Sequence, residues 1–232
     1  MSKASSPRAV NFFEGICDIK IIKENDRKRT DLRKNISLEQ KKLLETFEYE
    51  YFDSDLGYGG YFWDGRFAPA AQRMADYYGL GKSSRALDVG CAKGFLVYEF
   101  QHLLAGETNA FGCDISAYAL KNGHPEIRPQ LIRASAHQIG FLDRSFDLVV
   151  SVDAIHNLPE ELCDQSLREM MRVSRRKIFL QVASYHTPAE KEALCCWGAA
   201  LKTLRSAEQW LEAFAKIGYT GEYWFKTFAF AR

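Results

Sequence analysis

The sequence predicts an α/β fold: a doubly wound, mostly parallel sheet with helices on both faces. Three observations carry that prediction. From residue 85 onward, apolar runs of strand length alternate with stretches of helical periodicity. One run, Ala86, Leu87 and Val89, leads into a glycine turn at Gly90 and Gly94, and helical spacing begins at Phe95. The next apolar run ends in an acid, Asp114, at the edge where such sheets bind ligands.

Each element has a local reason. Residues 1–35 are polar and mixed, and the charge run over residues 20–34 suits a solvated arm or helix face. Ser37-Leu38-Glu39-Gln40 is a capping box that opens a helix reaching about Glu48. Residues 49–67 hold eight aromatics and four glycines. The glycines oppose a stable helix, and so many rings demand burial. The segment fits either a mobile lid over a ligand or a static wrap on the sheet. Pro69 suits the first turn of a helix running to Tyr78. Strands follow near 85–90, 109–114, 130–133, 146–152 and 176–183, with helices between most of them. Thr187 and Ser206 each precede a further helix, Gly218 ends the last one, and residues 223–230 read as a terminal strand. The chain divides into an N-terminal extension and aromatic lid, residues 1–66, and a ligand-binding domain, residues 67–232.

The glycine turn narrows the ligand. It reads Asp88-x-Gly90-x-Ala92-x-Gly94 and lacks the G-x-G-x-x-G spacing of a dinucleotide site, so NAD is not expected to bind. The second strand ends Gly112-Cys113-Asp114-Ile115-Ser116, and an acid there accepts ribose hydroxyls or merely caps the next helix. A third stretch runs from Arg133-Ala134-Ser135-Ala136 through Asp143-Arg144-Ser145-Phe146-Asp147 into an apolar strand. In this order the three stretches resemble the motifs of the class I S-adenosylmethionine (SAM) methyltransferases, over roughly residues 58–225. The likeness is to the small-molecule, methyltransferase type 11-like members.

That resemblance implies a Rossmann-like, mostly parallel seven-stranded sheet with the N-terminal helical and aromatic extension over it. The family closes its sheet with an antiparallel pair, which here is shortened or draws one member from residues 198–204. It implies SAM as cofactor. It carries cofactor roles onto Asp88, Gly90, Cys91 and Gly94 at the turn and onto Asp114 and Ile115 at the ribose. Ser135 and Ala136 fall at the adenine, and Asp153 lies after the fourth strand. Tyr58, Tyr61 and Arg66 fall at the methionine end, where a guanidinium suits a carboxylate. The loop over residues 151–159 then lies beside the methyl group. His156 there is a base candidate, because imidazole titrates near working pH, or else it packs against the next helix. Tyr185 and His186, after the fifth strand, are secondary catalytic candidates or a helix entry.

Composition excludes other classes. Net charge is +1, from 31 basic and 30 acidic residues, so no long-range field draws a polyanion, and nucleic acid is not expected as a partner. No apolar run approaches the ~18 residues of a membrane span, and residues 1–10 lack an apolar signal core. The six cysteines form no C-x-x-C pair, a pattern of reduced thiols that predicts a cytoplasmic protein without a metal site. The expected activity is methyl transfer from SAM to an O or N atom of a small-molecule acceptor: a sugar, a nucleotide-linked intermediate or a natural product. An RNA or protein methyltransferase and a non-catalytic SAM-binding regulator are the alternatives.

Overall fold

A seven-stranded sheet organises the molecule, and every strand pairing in it is parallel. The computed structural model describes residues 6–16, 28, 31–104 and 109–228. In chain order the strands are β1 (Arg8–Ala9), β2 (Ala86–Val89), β3 (Ala110–Asp114), β4 (Leu131–Arg133), β5 (Phe146–Val152), β6 (Ser174–Ala183) and β7 (Glu222–Lys226). Across the sheet they run β1-β7-β6-β5-β2-β3-β4. The helices are α1 (Leu38–Leu44), α2 (Tyr49–Phe52), α3 (Ala68–Tyr78), α4 (Phe95–Leu104), α5 (Ala117–Lys121), α6 (Glu160–Val173), α7 (Pro188–Trp197) and α8 (Ala207–Ile217). The order reverses direction between β2 and β5, so the carboxyl ends of those strands flank a crevice.

Local chemistry sets the helix limits. Ser37, Thr187 and Ser206 each close a capping box, with Gln40, Glu190 and Gln209 respectively. Gly79 and Gly218 end α3 and α8 in the left-handed region, where glycine carries no steric cost. The helix opened by Ser37 stops at Leu44, short of Glu48. Residues 49–52 add one separate helical turn before the first glycine of the aromatic segment.

Two apolar layers bury the sheet. One joins Met74, Leu96, Val97, Phe100, Leu148 and Phe179, and Phe12 and Phe13 from the N-terminal segment pack into it. The other joins Leu87, Val149, Leu167, Met170, Trp210 and Phe214. Among the described residues no helix is long and apolar enough to cross a membrane.

The sheet's far edge differs from the antiparallel closure expected. The connection through α8 returns the chain to the amino end of the sheet, so β7 lies parallel beside β6, as a βαβ crossover requires. The seventh strand comes from the N-terminus. Arg8–Ala9 pairs parallel with β7, helped by a Val10 N–H bond to the Tyr223 carbonyl and an Arg8–Glu222 ion pair at 2.7 Å. Residues 198–204 contribute no strand. Their backbone N–H groups at Lys202 and Thr203 instead donate to the His156 carbonyl, tying that loop to the end of β5. Most of the charge run over residues 20–34, and residues 229–230 of the expected terminal strand, lie outside the described residues.

Candidate functional site

A cavity of about 490 Å³ opens at the carboxyl ends of the strands, within the ~300–1,000 Å³ typical of small-ligand sites. Its floor is the β2 turn. Gly90 there has φ +80, and an added Cβ would lie 2.2 Å from the Ala154 Cβ. Only glycine lets the β2 and β5 loops meet so closely. Gly90→Ala is therefore expected to destabilise the fold by several kcal/mol, on the order of ~3 for overpacking plus a left-handed side chain. A thermal unfolding midpoint within a degree of the parent would contradict this. Ala92 also has a positive φ, and its N–H donates to the Asp114 carboxylate at 2.8 Å.

Asp114 lines the cavity from the end of β3. Its second oxygen accepts the Ser116 N–H, while Ser116, not Asp114, caps α5. Burial raises the Asp114 pKa and backbone N–H bonds oppose the rise. Each carboxylate oxygen retains a lone pair beyond its backbone bond, so paired ribose hydroxyls fit this position. Ile115, Ser135 and Ala136 line the same end. The Ser135 hydroxyl lies 2.7 Å from His137 Nδ1.

The aromatic segment roofs the cavity. Tyr51, Phe52, Tyr58, Tyr61 and Phe62 all line it, and Tyr61 stacks on Phe95 at 5.0 Å. Two clasps hold the roof, an ion pair at Asp53 and a charged donor at Arg33. Asp53 accepts from Lys93 Nζ at 2.8 Å, from the Tyr118 hydroxyl at 2.6 Å and from the Tyr61 N–H at 2.9 Å. Lys93 belongs to the glycine turn, so the roof is tied to the floor. Arg33 donates to the carbonyls of Leu56, Gly57 and Trp197, bridging the roof to the end of α7. Arg66 also lines the cavity, with its guanidinium held by the Asp64 carboxylate. A guanidinium pairs with a carboxylate through charged hydrogen bonds, as it does here with Asp64.

The far end of the cavity belongs to β5, β6 and β7. Asp153, just past β5, accepts from Lys226 Nζ at 3.0 Å and from Gln181 Nε2 at 3.3 Å. All three line the cavity, with Trp197 and Asn157 beside them.

Several expected site residues lie elsewhere. Asp88, Cys91 and Gly94 do not line the cavity. Asp88 is buried in β2, and burial pushes its carboxyl up to about 8. Cys91 is buried against Gly112, and Gly94 is needed because Leu131 and Ile127 occupy the space of a Cβ. His156 is 1% exposed, and its Nδ1 accepts the Ala183 N–H at 3.2 Å. Burial lowers its pKa to about 4. With Nδ1 accepting, the neutral ring carries its proton on Nε2, so neither nitrogen has a lone pair to take a substrate proton. His156 thus holds the β5 loop against β6. Tyr185 bridges to Ser206, and the exposed His186 donates its N–H to Glu190; both belong to the entry of α7, outside the cavity.

Sequence reasoning passed over Asp53, Lys93, Arg33, Gln181 and Lys226. Lys93 alone carried a local signal, lying inside the glycine turn.

Residues 86–177 match a family model described as a methyltransferase domain. This stretch is a methyltransferase domain. SAM is the cofactor that the family implies. The cavity suits it: close backbone approach at Gly90, a carboxylate at Asp114 and apolar walls between. Over 100 residues the chain is 31% identical to a demethylmenaquinone methyltransferase of Geobacillus kaustophilus, covering 40% of this chain and 42% of that protein. The corresponding Geobacillus stearothermophilus protein is 30% identical over the same shares. The chain thus spans about two fifths of the length of these curated relatives. Among solved structures, the YcgJ protein of Bacillus subtilis superposes with a TM-score of 0.51 at 16% identity, covering 63% of this chain and 66% of that one. A Bacillus halodurans C-125 protein described as a methyltransferase gives 0.51 at 18% identity, covering 64% and 68%. These likenesses show that the methyltransferase domain has the Rossmann-like fold of its class.

Proposed function

We propose that the protein transfers a methyl group from SAM to an O or N atom of a small-molecule acceptor. The observation that carries this reading is the roofed cavity, which joins a cofactor end at Asp114 to a polar end at Asp153 beneath one aromatic cover. A macromolecular acceptor needs an open groove, and the roof clasped by Asp53 and Arg33 leaves a compartment of small-molecule size.

When bound, SAM supplies a methyl group on a sulfonium, open to in-line displacement. The chain's own residues position and enclose. Asp114 would hold the ribose, Ser135 and Ala136 would border the adenine, and Arg66 would exchange Asp64 for the methionine carboxylate. Tyr58 and Tyr61 would exclude water above them. Positioning of this kind lowers a barrier by roughly 7–11 kcal/mol, so a dedicated base is not required. That agrees with the buried His156, whose Nδ1 already accepts the Ala183 N–H.

Calorimetric titration with SAM and S-adenosylhomocysteine tests the reading. Binding by the folded protein is expected, and no heat at millimolar ligand would refute it. Asp114→Ala is expected to weaken SAM binding by at least tenfold, since charged hydrogen bonds contribute about 1.5–3 kcal/mol each. An unchanged affinity would leave Asp114 only a backbone-organising role at Ala92 and Ser116.

A further inference from the structure

We infer that Asp153 and Gln181 form an acceptor subsite that takes a neutral molecule through two adjacent hydroxyl groups. The inference rests on the methyltransferase reading above and names what its acceptor must carry.

Two orphaned atoms define the subsite. Asp153 Oδ1 and Gln181 Oε1 are buried side-chain oxygens with no hydrogen-bond partner among the described residues. Gln181 as a whole is only 3% exposed. Both residues line the cavity, and a buried acceptor left unpaired is expensive, so a ligand that seats against them must bring donors to these oxygens. The orientation of the amide is chemically forced. Gln181 Nε2 donates to Asp153 Oδ2, so the opposite end of the amide is an oxygen. Both free atoms are therefore acceptors, and the ligand must bring donors. The two side chains are bonded to each other at 3.3 Å, so one small ligand carrying two donors can serve both, and a pair on neighbouring atoms is the most compact such ligand.

Charge then selects among donors. Lys226 already compensates the Asp153 carboxylate at 3.0 Å. An ammonium ligand would leave the cluster with an uncompensated positive charge in a largely aromatic cavity. Hydroxyls complete the same hydrogen bonds with no added charge.

The location fits an acceptor and not the cofactor. Asp114 ends β3 and Gln181 lies in β6, three strand spacings away across β2 and β5. At ~4.8 Å per spacing that is about 14 Å from the expected ribose. The parallel β7 is what brings Lys226 to this edge, since an antiparallel strand would present its amino end here.

The test titrates catechol and cis-cyclohexane-1,2-diol into protein saturated with S-adenosylhomocysteine, each beside its monohydroxy analogue, phenol or cyclohexanol, with cis-cyclohexane-1,2-diamine, a cation at neutral pH, as the amine arm. On at least one scaffold the diol is expected to bind about tenfold more tightly than its monohydroxy analogue. Asp153→Asn and Gln181→Met are each expected to abolish that preference while S-adenosylhomocysteine affinity stays within about twofold of the parent. Asn tolerates the left-handed backbone at position 153, where φ is 53°, so the variant is expected to fold. Its amide oxygen would stay with Lys226 and Gln181, turning an N–H₂ donor toward the cavity where the acceptor stood. Gln181→Met provides an independent check, since it removes the second acceptor without touching that backbone. Equal binding of diol and monohydroxy probes on both scaffolds would overturn the inference, as would a preference that survives in both variants. Tighter binding of the diamine than of cis-cyclohexane-1,2-diol would overturn the neutral-hydroxyl assignment. A drop of tenfold or more in S-adenosylhomocysteine affinity for Asp153→Asn would return Asp153 to the cofactor. Failure of the parent protein to bind S-adenosylhomocysteine would instead refute the methyltransferase reading itself.

Discussion

Asp53→Asn is expected to loosen the cavity roof while leaving the sheet intact. Asp53 is the hub through which the aromatic segment grips the glycine turn, accepting from Lys93, the Tyr118 hydroxyl and the Tyr61 N–H. Asparagine keeps the shape and one acceptor but removes the charge. Lys93, whose side chain is 10% exposed, would then sit without its counter-ion. Breaking a buried pair costs about 3–5 kcal/mol, and the 18% exposure of the Asp53 side chain argues for the lower end of that range. The loss is local, because Asp53 joins the roof to the turn and supports no sheet hydrogen bond. Backbone exchange over residues 49–67 is expected to accelerate by on the order of 10²-fold, with the β2 and β5 amides unchanged. SAM affinity is expected to fall with it, since the roof would have to be re-ordered at each binding event. The sign of the pH dependence follows from the same contacts. Burial raises the Asp53 carboxyl, but bonds from Lys93, Tyr118 and Tyr61 outweigh burial and hold it below its usual range. Its contribution is complete above pH ~4 and is lost as pH falls through the depressed folded value. Unchanged exchange over residues 49–67 in the variant would mean that aromatic packing alone secures the roof.

The aromatic and glycine content of that segment made a ligand cover legible, because composition alone states the conflict between buried rings and broken helix. Its clasps were not legible. Asp53 and Lys93 are far apart in the chain, and nothing local to either reveals the other. The β2 turn, the acid ending β3 and the order of strands and helices were readable, because each is written in consecutive residues. What failed was longer in range. A two-residue edge strand, Arg8–Ala9, has no periodicity to detect. Without it and the parallel β7, the meeting of Asp153, Gln181 and Lys226 has no sequence signature. His156 shows the converse. An imidazole beside the expected methyl position left a base and a packing role both open, and the Ala183 N–H on its Nδ1 with near-complete burial favours packing.

Two buried groups with opposite shifts should shape the pH dependence of stability. Burial lowers His156 to about 4, against a nearby Asp153 that raises it and a Lys226 that lowers it further. The unfolded histidine titrates near ~6.5. Between pH 4 and 6.5 the unfolded state therefore binds more protons, and stability rises with pH, by about 3 kcal/mol across the window. Asp88 behaves in the opposite way. Burial, with Asp114 adding to it, raises its carboxyl to about 8. The folded state keeps a proton that the unfolded chain has released above pH ~4, so stability falls as pH rises toward 8. Over pH 4–6.5 the two slopes nearly cancel. Above pH 6.5 only the Asp88 slope remains, and about 2 kcal/mol should be lost by pH 8. Chemical denaturation at each pH reads this directly. Asp88→Asn is expected to abolish the decline above pH 6.5 and to uncover the rise below it. His156→Asn, whose side-chain oxygen can replace Nδ1 as acceptor for the Ala183 N–H, is expected to decline throughout pH 4–8. Subtracting each variant's profile from the parent's isolates its group, because Asp114 and the remaining carboxylates are common to all three proteins. The same variant separates structure from catalysis. If His156 is structural, the pH–rate profile per folded molecule should be unaltered in His156→Asn. An acidic limb present in the parent and absent in that variant would restore a proton-transfer role to His156.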